Sequence, residues 1–338
     1  MVTLKDIAKR AGVNISTVSK ALNDSKEISL KKKREIKKIA ESLNYSPNFS
    51  ARALVGKGTS SIGVIFPEIR SNYYARIFNY IESEMKATNF TLIMGTTNFE
   101  LVNEIKYIQV LSTRRVDGIV LVASMNKEIE KTIDIIHSKY KIPFLLIESF
   151  IKPRKYDYIM IDNQYGIDLA VDYFYKLGFK TIGYVADTIS AKTRLQWFIE
   201  AIKRKGLPYN KRHVKIGEER FEIGGYLRMQ EMLAEPDCPE AIFASYDHIA
   251  IGAMKAVHEA GLTIPDDISF IGFDNIRESE YLYKPLTTIE PPIKQMVEIG
   301  MRTLIEKITG NKNTNTQHIS LNPELVIRET TRKFQQVR

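Results

Sequence analysis

Arg194 offers a planar, permanently charged fork, Glu148, Asp162, Asp247 and Asp274 offer carboxylate acceptors, and Tyr73 and Tyr74 offer aromatic faces. Sugars and their derivatives are held by this combination. Bidentate donors and acceptors fix the hydroxyls while an aromatic face covers the C–H surface of the ring. The residues stand at or just beyond the ends of short apolar runs, where the connections of an α/β sheet place ligands. Each also has a plainer reading: a strand-end aspartate caps the helix that follows, and neighbouring tyrosines pack a helix. A chemically different set lies near the N-terminus. Ser16, Thr17 and Lys20 carry short hydroxyls and an amine, the groups that reach base edges and phosphates in a major groove.

Other chemistries lack their residues. His137, His213, His248, His258 and His318 show no His-x-x-x-His spacing, and the single Cys238 cannot build a thiolate cage or an internal disulfide, so no metal or other cofactor is expected. No Gly-x-Gly-x-x-Gly follows a strand, and neither a phosphate-binding Gly-x-x-x-x-Gly-Lys-Ser/Thr loop nor a Gly-x-Ser-x-Gly elbow occurs. No apolar run approaches the roughly 18 residues of a membrane span, and the first 20 residues lack a signal-peptide core, which favours a cytoplasmic protein. Hydrophobic residues at 44% and charged ones at 26% suit a globular chain of more than one domain.

Charge divides the chain. Residues 1–57 hold 13 Lys and Arg against 5 Asp and Glu, so +8 of the formal +9 sits in one sixth of the length. A small basic head on a near-neutral body suggests that the head meets a polyanion while the body does something else. Within the head, Thr3 and Asp6 have capping-box spacing, and Leu4, Ile7, Ala8 and Ala11 make one helical face that ends at Gly12. Asn14 begins a second helix with Ile15, Val18 and Leu22 inward, and Ser29 a third with Ile36, Ile39, Ala40 and Leu43 inward. Two short helices around a glycine turn make a helix-turn-helix. The run Lys31–Arg34 fits either phosphate contact or a solvated face. Asn44 to Pro47 break the pattern, and residues 48–55 form a stretch too short to hold a helix alone.

The segments VTLKDIAKRAGVNISTVSKALN and LNYSPNFSARALVGKGTSSIGVIFP resemble bacterial transcription regulators of the lactose and galactose repressor (LacI/GalR) family, and the likeness covers essentially the whole chain. It implies a head at 1–46, a hinge helix and linker at 47–60 and an effector-binding body at 61–330. Thr3, Ser16, Thr17, Lys20, Asn23 and Tyr45 are then the head's expected contacts to a pseudo-palindromic double-stranded operator. Paired hinge helices in such proteins enter the minor groove and wedge a leucine into the central base step, a position matched here by Leu54 after Ala51 and Arg52. Some relatives follow that leucine with lysine, whereas this chain has Val55.

In the body, apolar runs at 62–66, 90–94, 116–122, 143–147, 158–161, 181–185, 241–244 and 269–273 read as buried strands, with helical patterns between most of them. Strand and helix in alternation mean parallel sheets with helices on both faces. The resemblance implies two Rossmann-like lobes of the periplasmic-binding-protein kind, at 61–161 plus 292–322 and at 163–290 plus 323–330. It also assigns Arg194, in RLQWF, and Asp274, in IGFDN, to the effector, and Phe221 to an aromatic wall. Purine-binding relatives place Arg and Thr where this chain has Asp187-Thr188-Ile189-Ser190, so a neutral sugar or sugar derivative is expected in place of a purine. Only ten residues follow Arg328, without a leucine heptad, which favours a homodimer over a tetramer. The rival reading is a sugar-metabolising enzyme with a basic nucleic-acid-binding appendage, and turnover assays separate the two.

Overall fold

The N-terminal helix starts where the Thr3 amide and hydroxyl both donate to Asp6 Oδ2 at 2.8 Å. The computed structural model describes residues 2–22, 24–45, 59–310 and 315–333, in two units, Met1–Thr59 and Ser60–Arg338. Within the first unit, helix α1 (Leu4–Ala11) stops at Gly12, whose φ of +65° lies in the left-handed region and whose N–H donates back to the Ala8 carbonyl. Helices α2 (Ile15–Leu22) and α3 (Leu30–Ser42) follow, the latter capped by the Ser29 hydroxyl, which accepts from the Lys32 amide at 3.3 Å. Helices of eight residues are marginal in water. They persist because Ile7, Ala8, Val18, Ala21, Ile36 and Ala40 close a shared core. Asn23 and the expected hinge positions Ala51, Arg52 and Leu54 lie outside the described residues.

The second unit contains two sheets. Strands β1 (Ser61–Phe66), β2 (Thr91–Thr96), β3 (Gly118–Val122), β4 (Phe144–Ile147), β5 (Asp157–Ile161) and β11 (His318–Leu321) form the N-lobe sheet, in the order β11-β5-β4-β3-β1-β2, all parallel. Strands β6 (Ile182–Asp187), β7 (Val214–Gly217), β8 (Ala241–Ala244), β9 (Ser269–Phe273), β10 (Thr287–Glu290) and β12 (Glu324–Val326) form the C-lobe sheet, in the order β12-β10-β9-β8-β6-β7, antiparallel only at β12. The chain passes between lobes after β5, after β10 and after β11.

Helices α4 (Asn72–Met85), α5 (Leu101–Thr113), α6 (Ile129–Tyr140) and α11 (Ile293–Ile308) belong to the N-lobe. The C-lobe carries α7 (Asn163–Lys176), α8 (Thr188–Arg204), α9 (Phe221–Leu233) and α10 (Asp247–Glu259). The central strands are buried at every position, as parallel strands covered on both faces must be. The run 90–94, expected to be a buried strand, contributes 91–94 to β2, which pairs with β1 alone and exposes Thr91, Met94 and Thr96, so the edge position overrides the apolar composition.

Candidate functional site

The carboxyl ends of both sheets face one cleft, and a narrow chamber in it, together with the solvent at its mouth, spans about 600 Å³. Tyr73, Tyr74, Glu148, Arg194 and Asp274 all line this chamber. Tyr73 and Tyr74 start α4, after the Ser71 hydroxyl accepts from the Tyr73 amide at 3.2 Å, and their rings meet edge to face at 5.4 Å. Arg194 projects from α8. Its Nε donates to Asn163 Oδ1 at 3.0 Å, one terminal nitrogen donates to the Ser245 carbonyl, and the other lies 3.7 Å from Asp274 Oδ1. Its guanidinium also rests 3.8 Å from the centroid of the Phe273 ring, which fixes the plane of the fork.

Asp274 follows β9 at φ 110°, a conformation costly for a residue with a Cβ, and the strain places its carboxyl inward. Burial raises that carboxyl to a pKa of about 6, against the pull of Arg194. Its Oδ1 is buried without a hydrogen-bond partner, and so is the Tyr73 hydroxyl. Glu148 follows β4 at φ 51° and accepts from the Ile161 amide at 2.9 Å and from Asn163 Nδ2 at 3.0 Å. Burial pushes its carboxyl above the ordinary range, and it pushes the Tyr73 and Tyr74 hydroxyls up as well. The chamber therefore presents fixed donors and acceptors in poorly hydrated surroundings, where an unmet hydrogen bond is expensive.

Three expected residues do not line the chamber. Asp162 caps α7, accepting from the Tyr165 amide at 2.9 Å. Asp247 lies fully buried beneath the Asp274 turn, accepting from the Ile276 amide at 2.9 Å and from Thr288 Oγ1 at 2.5 Å. Gly272 leaves room for it, since a Cβ there would stand 2.3 Å from Asp247 Oδ1. Asp247 thus braces the loop that carries Asp274, and its own carboxyl is held well above the ordinary value by burial and by the Asp274 charge. Phe221 packs under two guanidinium groups, Arg220 at 4.7 Å and Arg70 at 4.9 Å.

Arg220 and Asp187 join the lining without having been expected there. Arg220 bridges the lobes, donating to Asp187 Oδ2 and to Glu68 Oε1, each at 3.2 Å. Burial works against its charge, but Glu68, Tyr246 and Asp187 more than compensate and hold its pKa up. Asp187 also accepts from the Tyr246 hydroxyl at 2.6 Å and from the Ser190 amide at 2.7 Å. A second cross-lobe contact runs from Arg76 Nη1 to the Asp274 and Asn275 carbonyls at 2.8 and 2.9 Å.

In the separate head, Ser16 and Lys20 are exposed and Thr17 is half-buried on α2. Lys20 pairs with Glu27. Thr3 is exposed, with its hydroxyl committed to Asp6, and Tyr45 packs half-buried against the head's core. Lys32 pairs with Glu35 and Lys37 with Asp24, each at 2.9 Å, while Lys31 and Arg34 of the same basic run are exposed.

Residues 3–48 match the bacterial regulatory proteins of the lacI family, and residues 171–331 match the periplasmic binding protein-like domain. The HTH-type transcriptional repressor PurR of Mannheimia succiniciproducens is 31% identical over 337 residues, spanning 99% of this chain and 100% of that one. This chain belongs to the lacI family. It is a DNA-binding transcriptional repressor rather than an enzyme. Among solved structures, the lac repressor dimer bound to operator and the anti-inducer ONPF shares the fold of this lacI-family chain, with a TM-score of 0.84 at 24% identity over 98% of this chain and 99% of that one. A LacI family transcriptional regulator from Enterococcus faecalis V583 with bound ribose is 30% identical, with a TM-score of 0.68, covering 80% of this chain and 98% of that one. Among the described residues no helix is long and apolar enough to cross a membrane.

Proposed function

We propose that this repressor binds a pseudo-palindromic operator as a cytoplasmic homodimer and that a sugar or sugar derivative, held between the lobes, sets its affinity for DNA. The head, residues 1–46, reads the major groove through Ser16, Thr17 and Lys20, with Thr3, Asn23 and Tyr45 at its margins. The hinge, residues 47–60, carries Leu54 as the minor-groove wedge, beside Ala51 and Arg52. Tyr73, Tyr74, Glu148, Arg194 and Asp274 hold the effector, Phe221 backs Arg220, and Asp162 and Asp247 brace the elements around them.

The observation that carries this reading is the pair of buried polar atoms without a hydrogen bond, Asp274 Oδ1 and the Tyr73 hydroxyl, on residues lining one chamber with the Arg194 fork. Such atoms call for a ligand rich in hydroxyls, which both donate and accept. The ribose held by the 30% identical relative from Enterococcus faecalis has that chemistry. A thermal-shift screen of the full-length protein against sugars, phosphosugars and nucleobases tests the reading, because a ligand that prefers the native state raises its melting temperature. A sugar is expected to do so. Stabilisation by a nucleobase and by no sugar would overturn the carbohydrate assignment and leave the regulator assignment standing.

A further inference from the structure

Beside the first chamber, the cleft opens into a second that, together with the solvent at its mouth, spans about 1310 Å³. The two chambers share a partition that includes Phe99, Met125, Phe150 and Thr193. Their positions follow from sheet topology. Strand order in the N-lobe reverses between β1 and β3, and in the C-lobe between β6 and β8. A sheet of this kind leaves a crevice at the carboxyl ends of the strands where the order reverses. The first chamber takes Asp187 and Tyr246 from the C-lobe crevice, the second takes Pro67 and Val122 from the N-lobe crevice, and Ala123 lines both. Two facing lobes thus supply two adjoining ligand positions.

Glu104, in the first turn of α5, lines the second chamber with only 9% of its surface exposed. Burial raises its carboxyl, with only the Ser124 hydroxyl to offset the lost water. Thr97, Asn126 and Thr193 add polar groups to the same lining, and Lys127 and Lys192 are exposed there. An apolar ligand would displace water and leave Glu104 with the Ser124 hydroxyl alone, which burial makes costly. A ring with hydroxyls satisfies both the carboxyl and the half-buried aromatic faces.

We propose that the effector spans both chambers: a carbohydrate of at least two units, with its second ring against Phe99 and Phe150 and its hydroxyls donating to Glu104. The proposal rests on the carbohydrate reading of the first chamber. Calorimetry on the full-length protein tests it, using glucose, galactose and ribose beside maltose, cellobiose and lactose. The best disaccharide is expected to bind at least tenfold more tightly than either of its monosaccharide units. Glu104→Gln is expected to shrink that ratio several-fold, and Lys192→Trp, an exposed substitution that occludes the chamber from the C-lobe side, to do the same in a protein whose fold is undisturbed. Equal affinities for the disaccharide and its units, or an unchanged ratio in both variants, would overturn the second subsite and leave the carbohydrate reading intact. No binding by any sugar of either length would overturn both.

Discussion

The head and the cleft each hold a basic side chain against a carboxylate, and the pairs differ in the water around them. Lys20 and Glu27 keep 47% and 65% of their side-chain surface exposed, whereas Arg194 and Asp274 keep 11% and 9%. Water and salt screen the first pair, so its members exchange partners at little cost and add to the head mainly as charge. The second pair cannot turn to water. Arg194 is held by Asn163, Ser245 and the Phe273 ring, and its geometry as well as its charge is fixed before a ligand arrives. A basic residue in the head is therefore one of many, while a basic residue in the cleft is decisive by itself.

The largest expected effect follows from that contrast. Arg194→Ala should reduce effector affinity by more than about tenfold, because the ligand's groups and Asp274 lose a charged, planar partner. It should also lower stability by roughly 3 kcal/mol, since the buried Asp274 carboxylate loses its ion-pair partner. Arg194→Lys should restore little of the affinity, as an ammonium cannot reach Asn163, Ser245 and the ligand together in one plane. Calorimetry of folded variants checks this, with DNA affinity at fixed salt as the control. Full rescue by lysine would remove the distinction drawn between geometry in the cleft and charge in the head.

A second test uses protons. The Asp274 carboxyl titrates at about 6 in the folded protein against 3.8 for the ordinary side chain. Its folded-state value is raised, so between these pH values the native state binds more protons than the unfolded one, and this residue's contribution to stability falls as pH rises through that window. A ligand that donates to the carboxylate favours the deprotonated form and must displace the proton below pH 6. Effector affinity should therefore drop about tenfold from pH 7 to pH 5 through this group. Asp274→Asn should bind more weakly at pH 7 and lose most of the pH dependence. If the drop persists in Asp274→Asn, the proton resides elsewhere in the cleft.

These residues differ in how far the sequence exposes them. Apolar, β-branched runs such as SIGVIF and GIVLV announce strands because their burial on both faces requires that composition. Strand β10, read TTIE, gives no such sign: its buried Thr287 and Thr288 are compatible with a core only because Thr330, Thr331 and Asp247 satisfy their backbone and hydroxyl groups. Strands β7, β11 and β12 are short and lie at or beside sheet edges, where polar residues are tolerated. In the site, Glu148 and Asp274 stand out because they follow strand ends directly. Asp162 follows a strand end in the same way, and Asp247 comes three residues after one, yet they serve as cap and brace, a distinction set by side-chain direction, which periodicity does not carry. Arg220 had no local signal at all. Its partners Asp187 and Glu68 are 33 and 152 residues away, so only the closed fold brings them together. Asp187 does have one, as the last residue of β6.

The smallest expected effect belongs to the head and is the sharpest check on the screening argument. Glu27→Gln removes the carboxylate that holds Lys20 and adds one unit to the head's positive charge. With both side chains largely in water, the lost pair should change stability by less than about 1 kcal/mol, so the melting curve should stay near the parent's. DNA is different, because every cation that meets a phosphate releases counterions. The freed lysine should raise affinity for duplex DNA a few-fold at low salt, alike on specific and unrelated sequences, with the gain vanishing as salt is raised. Gel-shift titrations on both DNAs at two salt concentrations measure it. A loss confined to one sequence and insensitive to salt would mean that Glu27 positions Lys20 for a base contact. The head would then rely on fixed geometry as the cleft does.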